Sequence, residues 1–232
     1  MLRARQRLVL SVLLAGLVFV AATPASASSI SAGQSVAPTG YLDPNNGNLN
    51  FLGIFGPQLF TFGGPGIQVT VEYTLFVVRD PFNPGLYLCG TNCVDFGVDA
   101  TIVSGPLGAT TLLNSISMGG FGGGNALMDV GFISNNFSPY APTTANRSAN
   151  GGVVMFNFGG GIPAGNDAKP LSLRTNLTDW IGTMNVGFNA TVIIPGADPF
   201  HPSGLAVVTT PEPSSILLLG SGALFALRRR RS

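Results

Sequence analysis

The chain has little of the side-chain chemistry from which active sites are usually built. Its 232 residues include one histidine, two cysteines and one tryptophan, and only 9% of them are charged. His201 lies between Phe200 and Pro202, and no Gly-x-Ser-x-Gly motif is present to expose a nucleophilic serine. A Ser-His-Asp triad built on His201 is therefore disfavoured. We expect no catalytic residue and no enzymatic activity.

Positive charge is scarce between the two ends of the chain. Of the 11 Lys and Arg residues, three lie before residue 8 and four lie at the C-terminus. Residues 28–209 keep four cations against nine acids, which gives them a net charge of −5. Nonspecific binding of nucleic acid needs a cluster of cations that contact phosphates. We therefore expect no nucleic-acid partner.

Metal and cofactor motifs are weak. Zinc sites usually draw four ligands from Cys and His, and the sole histidine is more than a hundred residues from both cysteines. Residues 159–164 match a dinucleotide fingerprint only formally, because Pro163 and Gly165 would interrupt the following helix; we interpret the segment as a loop. Asp43 opens a turn with alternating oxygen ligands but without the closing Glu of a calcium loop. No cofactor or metal is predicted, and calcium near Asp43 stays an open question.

Paired carboxylates for glycoside hydrolysis are also missing from the pattern. Asp95 and Asp99 lie on one face of a predicted strand, and the strand rise separates them by roughly 13 Å. That distance is too long for direct partnership between two carboxylates. We interpret both residues as part of a solvated outer face.

Alternation of apolar and polar residues is the main pattern that is present. It is clearest in residues 67–75, 94–102 and 184–192, as is typical of half-buried strands. Shorter candidate strands are residues 49–51, 59–62, 112–118, 129–133, 153–158, 171–174 and 205–208. No segment between residues 28 and 209 sustains a helical period. The pattern predicts an all-β fold, an antiparallel β-sandwich or jelly roll.

The N-terminus has the three parts of a signal peptide. Arg3, Arg5 and Arg7 precede an apolar segment at residues 8–20, and Ala25-Ser26-Ala27 forms an A-x-A cleavage site. An uncleaved N-terminal anchor is the alternative. We expect a signal helix in residues 1–27, with the Sec translocon and signal peptidase as partners and cleavage at Ala25 to Ala27.

The C-terminus ends in a second membrane-related segment. Pro211-Glu212-Pro213 precedes an apolar run at residues 216–227, and Arg228, Arg229, Arg230 and Arg231 follow it. This run has 12 residues, whereas a stable transmembrane helix needs about 20. Adjacent arginines stay on the cytoplasmic side and act as a membrane stop. The sequence predicts a short apolar helix held transiently in the inner membrane.

Residues 210–232 resemble the PEP-CTERM sorting signal of exported bacterial proteins, which has the same three parts in the same order. The resemblance implies that an exosortase-like membrane protease cleaves near Pro211, Glu212 and Pro213. The released protein would then reach the cell surface or the extracellular space.

The segment between the two ends is similar to uncharacterised β-rich passengers of that group. The shared order is Arg79-Asp80-Pro81, a Cys pair, Asp129-Val130-Gly131 and Thr175-Asn176. The sequence departs from those passengers in its Gly- and Asp-rich second strand and in a longer loop at residues 119–124. The resemblance supports a β-fold and implies no activity.

Cys89 and Cys93 flank three residues at a predicted hairpin. Outside the cytoplasm, two cysteines this close are expected to form a disulfide. A metal site and a free redox pair are the alternatives.

These patterns predict three parts: a signal peptide (1–27), a β-sandwich passenger (28–209) and a sorting signal (210–232). The predicted function is that of an exported structural protein of the surface or of a biofilm matrix, with extracellular polysaccharide as a candidate partner. The second hypothesis is a secreted lectin-like module that stacks sugars on Trp180 or Tyr140. The third is a secreted hydrolase.

Overall fold

The computed structural model describes residues 28–41, 51–79, 93–121, 126–134, 138–178 and 183–209. Within these ranges the chain forms thirteen strands and no helix. The strands are β1 (Ser28–Ser29), β2 (Ser35–Val36), β3 (Thr39–Tyr41), β4 (Phe51–Phe62), β5 (Val69–Val78), β6 (Asp95–Ser104), β7 (Thr110–Gly119), β8 (Met128–Ile133), β9 (Thr144–Arg147), β10 (Val153–Pro163), β11 (Leu171–Thr175), β12 (Thr183–Ile193) and β13 (Ser203–Thr209).

The strands form two sheets. The larger sheet has seven strands in the order β1-β8-β11-β6-β5-β4, and β3 also pairs with β8. The smaller sheet has six strands in the order β13-β12-β7-β10-β9-β2. Every strand pair is antiparallel except β3 with β8. The prediction of an all-β fold with antiparallel sheets is confirmed.

The long strands form where one side of the alternating pattern is buried. In β5 the inward side chains are Val69, Val71, Tyr73, Leu75 and Val77, and none is more than 3% exposed. The same alternation holds in β6 and β12. Because a slip of one residue would turn this whole apolar set towards water, burial on one face fixes the register of each strand.

Both sheets contribute to one hydrophobic core. The ring of Phe188 in β12 lies 5.4 Å from that of Tyr73 in β5 and 6.3 Å from that of Phe62 in β4, measured between centroids. These contacts join the smaller sheet to the larger one, at distances typical of favourable aromatic pairs. The inner faces of the two sheets therefore share their apolar residues.

Two boundaries differ from the predictions. The candidate strands at residues 49–51 and 59–62 contribute to a single strand, β4, whose register with β5 shifts between Phe55 and Gln58. At this bulge Gly56 has a φ of 142°, and a Cβ there would lie 2.7 Å from the carbonyl oxygen of Tyr73. The interpretation of residues 159–164 as a loop is wrong, because β10 continues to Pro163 after a bulge between Asn157 and Ile162.

Four short strands were not predicted. They are β1, β2, β3 and β9, and none has more than four residues, so none is long enough to show alternation.

The predicted helices at the two ends of the chain lie outside the described residues. In the described ranges no helix is present that could cross a bilayer.

Candidate functional site

All residues of the predicted processing and membrane-stop sites lie outside the described ranges. This holds for Ala25, Ala27, Pro211, Glu212, Pro213 and Arg228 to Arg231, as well as for Cys89, Asp43 and Trp180. The described residues begin directly after the predicted signal-peptidase site, at Ser28 of β1, and end just before the predicted exosortase site, at Thr209 of β13. The roles assigned to the two ends therefore stay predictions at the level of single residues.

Cys93 lies just before β6 and is completely buried. Its pairing with Cys89 stays a prediction, because Cys89 is outside the described residues. We expect the exported protein to show no thiol that reacts with an alkylating reagent before reduction. Cys93→Ser should lower the free energy of unfolding modestly, by up to about 2 kcal/mol, because a disulfide that closes so short a loop restricts the unfolded chain only slightly. Full alkylation of the native protein without a reductant would contradict the disulfide.

Asp95 and Asp99 are not part of a solvated face, and that interpretation is wrong. Asp95 is only 4% exposed, and its Oδ1 accepts a hydrogen bond from the backbone N–H of Thr175 at 3.2 Å. Asp99 is partly buried, and its Oδ1 is inaccessible and without a hydrogen-bond partner. The ring of Phe76 lies over Gly97 between them, 3.5 Å from the position that a Cβ of Gly97 would take. Neighbouring side chains thus cover this face of β6.

A row of polar residues crosses four strands of the larger sheet on this outer face. Register places Asp95 of β6 opposite Arg174 of β11, Arg174 opposite Asp129 of β8, and Asp129 opposite Ser29 of β1. Arg174 is 4% exposed. We call these four residues the charged row. Its cation lies between two acids, which is how buried charges are usually accommodated.

The electrostatics of Asp129 reflect its place in the charged row. Burial raises the pKa of the Asp129 carboxyl above its usual range, and the nearby positive charge of Arg174 partly offsets this effect. A hydrogen bond from Ser29 lowers the same pKa further. Charge and hydrogen bonds from β11 and β1 therefore favour the ionised form of an acid on β8.

A second pair of acids lies further along β6. Burial, and then the negative charge of Asp167, raises the pKa of Asp99 to about 6, while a hydrogen bond from the backbone N–H of Ala100 lowers it. The hydroxyl of Thr101 donates a hydrogen bond to Oδ1 of Asp167. The backbones of the same two residues also form an isolated antiparallel β-bridge. An acid titrating near neutrality is suited to donating a proton.

No pattern in the sequence indicates this pair, because Asp99 and Asp167 are far apart in the chain and come together only where residues 164–168 run beside β6. Within the described ranges, no group of three His, Cys, Asp or Glu residues could hold a metal. The prediction that no metal is bound is not tested by this observation.

The outer face of the smaller sheet is uncharged by comparison. A row of small polar side chains crosses five of its strands: Thr144, Asn157, Ser115, Asn189 and Ser203. The amide of Asn189 donates to Oγ of Ser115 at 2.7 Å, and that of Asn157 donates to Oγ1 of Thr144 at 3.1 Å. We call these five residues the neutral polar row. It presents hydroxyl and amide groups without charge.

Arg147 is the one charged residue in the strands of the smaller sheet, and it is 4% exposed. Its Nε donates to the carbonyl of Gly151 and its Nη1 to the carbonyl of Ile30, both at 3.1 Å. Its Nη2 is buried without a hydrogen-bond partner, and burial lowers the pKa of the guanidinium. Arg147 thus connects the segment after β1 to the turn between β9 and β10.

The remaining candidate residues are peripheral. His201 is exposed, and its Nδ1 lies 3.2 Å from Oγ1 of Thr191. Tyr140 is half-buried and packs against the hydrophobic core. Less of its ring is therefore free to stack on a sugar than the lectin-like hypothesis would prefer.

The C-terminal segment matches a known family model. The PEP-CTERM protein-sorting motif matches residues 209–231. The chain therefore carries this sorting motif, and the likeness to PEP-CTERM exosortase substrates is confirmed. The match begins at the last residue of β13.

Comparisons along the rest of the chain add little. No curated protein matches it significantly. One solved structure is titled as the complete structure of manganese lipoxygenase of Gaeumannomyces graminis and a partial structure of zonadhesin of Komagataella pastoris. Its matching chain is 14% identical, and the alignment covers 79% of this chain and 90% of that one with a TM-score of 0.23. A TM-score this low carries no argument about fold or function.

Proposed function

We propose that the protein is a non-enzymatic structural component of the cell surface or of a biofilm exopolysaccharide matrix, released there by an exosortase. The observation that carries the proposal is the PEP-CTERM motif at residues 209–231, directly after β13. The motif itself implies export and sorting. What supports the matrix role is the architecture of the passenger, whose two sheets share one extensive core, as in a β-sandwich.

The distance between the passenger and the membrane would be short. Six residues lie between Thr209 and Ile216, where the apolar run begins, and the seven Cα-to-Cα steps of an extended chain span at most about 25 Å. Cleavage near Pro211 to Pro213 would take place close to the edge of the smaller sheet. The cut would therefore free the folded domain with almost no tail.

The sorting step can be tested by two changes in the tail. Glu212→Ala should leave the topology intact but block processing, so that full-length protein accumulates in the inner membrane. Replacing Arg228 to Arg231 with Ser should remove the electrostatic stop and give unprocessed protein in the periplasm. Glu72→Ala, which changes an exposed acid on β5, is the control and should be processed normally. Normal release of both tail variants would contradict the proposal.

A lectin-like module is the second candidate, because the neutral polar row offers hydroxyl and amide groups to uncharged sugars. The test is a pull-down of the exported protein on insoluble neutral polysaccharides. The double variant Asn157→Ala and Asn189→Ala should abolish any retention, whereas Glu72→Gln on the other sheet should not. Retention that both variants leave unchanged would exclude the neutral polar row as the binding face.

A secreted hydrolase is the third candidate, and the acid pair Asp99 and Asp167 is what favours it. Hydrolysis of a polysaccharide that is lost in Asp99→Asn would support this class and contradict the non-enzymatic proposal.

A further inference from the structure

The first described residues, 28–41, form a segment that connects the two sheets along one side of the molecule. Its strands β1 and β3 pair with β8 in the larger sheet, and its strand β2 pairs with β9 in the smaller sheet. Between β1 and β2, the side chain of Ile30 is 1% exposed and belongs to the hydrophobic core. We call residues 28–41 the N-terminal segment.

The surface that receives the N-terminal segment fits it through specific contacts. The backbone N–H of Ile30 donates to the carbonyl of Met128 at 2.9 Å, and the N–H of Arg147 donates to the carbonyl of Gln34 at 2.9 Å. Nη1 of the buried Arg147 donates to the carbonyl of Ile30 at 3.1 Å. Residues 28–41 are therefore the ligand of this surface, and the same residues of a second copy would fit it equally well.

The chain leaves the N-terminal segment at one edge of the larger sheet and re-enters that sheet at the opposite edge. β3 lies beside β8 at the first edge, and β4 is the last strand at the other. Five strand spacings separate β3 from β4, which amounts to about 24 Å. Strand register places Phe51 level with Asp129 and Tyr41 level with Ile133, which adds about 13 Å along the strands. Tyr41 and Phe51 of one copy are therefore about 27 Å apart.

The connection between these two residues is short for that distance. Nine residues, 42–50, join Tyr41 to Phe51, and their ten Cα-to-Cα steps reach at most about 36 Å. The straight line between opposite edges runs through the sheet itself, so any real path is longer than the direct distance. Short connections under tension favour the exchange of a terminal element between copies. Because the N-terminal segment makes the same contacts in either case, the length of the connection decides between the two forms.

We propose that copies of the exported protein join head to tail by exchange of the N-terminal segment, each copy placing its residues 28–41 on β8 and β9 of the next. A neighbour beside β4 presents its receiving edge directly to residue 51. The connection then spans the gap between two copies rather than the width of a sheet, and the arrangement needs no strand pairing by β4. Such a contact continues from copy to copy. It adds a means of assembly to the structural role proposed above.

Cysteine cross-links distinguish an exchanged segment from one that stays on its own copy. Ser35 of β2 lies directly opposite Asn146 of β9, a placement that suits a disulfide. When Ser35→Cys and Asn146→Cys proteins are exported together from one cell, oxidation of the purified mixture should give a covalent heterodimer. The matched control is Asn189→Cys with Ser203→Cys, which lie opposite each other in β12 and β13. Neither strand is exchanged, so the control should give no heterodimer.

The length of the connection supplies a second test, read from the mass of the purified, processed protein by sedimentation and light scattering. The wild-type protein should form oligomers that grow with concentration. Deletion of Asn45, Asn46 and Gly47 shortens the reach to about 25 Å, which is less than the separation of about 27 Å within one copy. This variant should be oligomeric even at the lowest concentrations. Insertion of six Gly and Ser residues after Asn46 should shift the protein towards monomer.

A missing heterodimer between residues 35 and 146, or an equal yield in the control pair, would overturn the proposal. A deletion variant that is monomeric and folded, as checked by thermal unfolding, would also overturn it. If the deletion prevents folding, the insertion variant decides, and an oligomer that the insertion leaves unchanged would contradict exchange. These readouts are the same whether or not the tail has been cleaved, so the sorting role can fail separately.

Discussion

Each sheet buries one arginine to the same extent, but the two arginines are accommodated differently. Arg174 in the larger sheet and Arg147 in the smaller sheet are both 4% exposed. Arg174 lies in register between Asp95 and Asp129, whereas Arg147 donates to two backbone carbonyls and keeps Nη2 without a partner. The first arrangement couples three strands through charge, and the second holds a turn. One sheet thus gathers charge on its outer face, and the other keeps that face neutral.

The strongest test of this difference is Arg174→Met. The change leaves the buried Asp95 and the half-buried Asp129 without the cation between them, and breaking a buried pair in this way costs about 3–5 kcal/mol. The free energy of unfolding, measured with a chemical denaturant, should fall by this amount. A loss below about 1 kcal/mol would show that the two acids do not depend on Arg174.

The second test uses the acid pair of the larger sheet. Asp99 has a folded-state pKa of about 6, raised from 3.8 mainly by burial, so the folded state holds this proton more tightly than the unfolded state does. This contribution to stability is complete below pH 3.8 and is lost as the pH rises through 6. After allowance for solvent screening, unfolding should cost about 2 kcal/mol less at pH 7 than at pH 4.

Asp99→Asn should remove most of this pH dependence, and the smaller contribution of Asp129, which has the same sign, should remain. Asp198→Asn changes an exposed acid in the turn before β13 and should keep the full dependence. If the pH dependence is the same in Asp99→Asn as in the wild type, Asp99 does not titrate as the structure indicates.

The smallest effect is expected from Arg147→Met, the matched change in the smaller sheet. It removes two hydrogen bonds to carbonyls but also removes a buried charge whose Nη2 has no partner. These effects oppose each other, so a net loss of about 1 kcal/mol is expected. Denaturant unfolding of the Arg147→Met and Arg174→Met variants, measured in parallel, tests this expectation. A loss of unfolding free energy in Arg147→Met equal to or larger than that in Arg174→Met would contradict the difference between the two sheets.

Local patterns predicted the long strands and the sorting motif. Alternation in residues 67–75 and 184–192 identified β5 and β12, because a strand with one buried face places apolar residues at every second position of the sequence. The motif at residues 209–231 was predictable because its parts follow one another directly in the chain.

The charged row could not be predicted in this way. Asp95, Asp129 and Arg174 come from three strands that pair only in the folded sheet. The burial of Asp95 and Asp99 depends on neighbours such as Phe76, which alternation within β6 does not reveal.

Intact-mass spectrometry of the surface-associated protein tests the central claim most directly. Processing at both ends predicts a chain that begins at Ser28 and ends near Pro211 to Pro213, without Arg228 to Arg231. The same spectrum would show the mass of an intact disulfide between Cys89 and Cys93. A protein that ends at Ser232 with its four arginines attached would contradict sorting by an exosortase and would identify the tail as a permanent anchor.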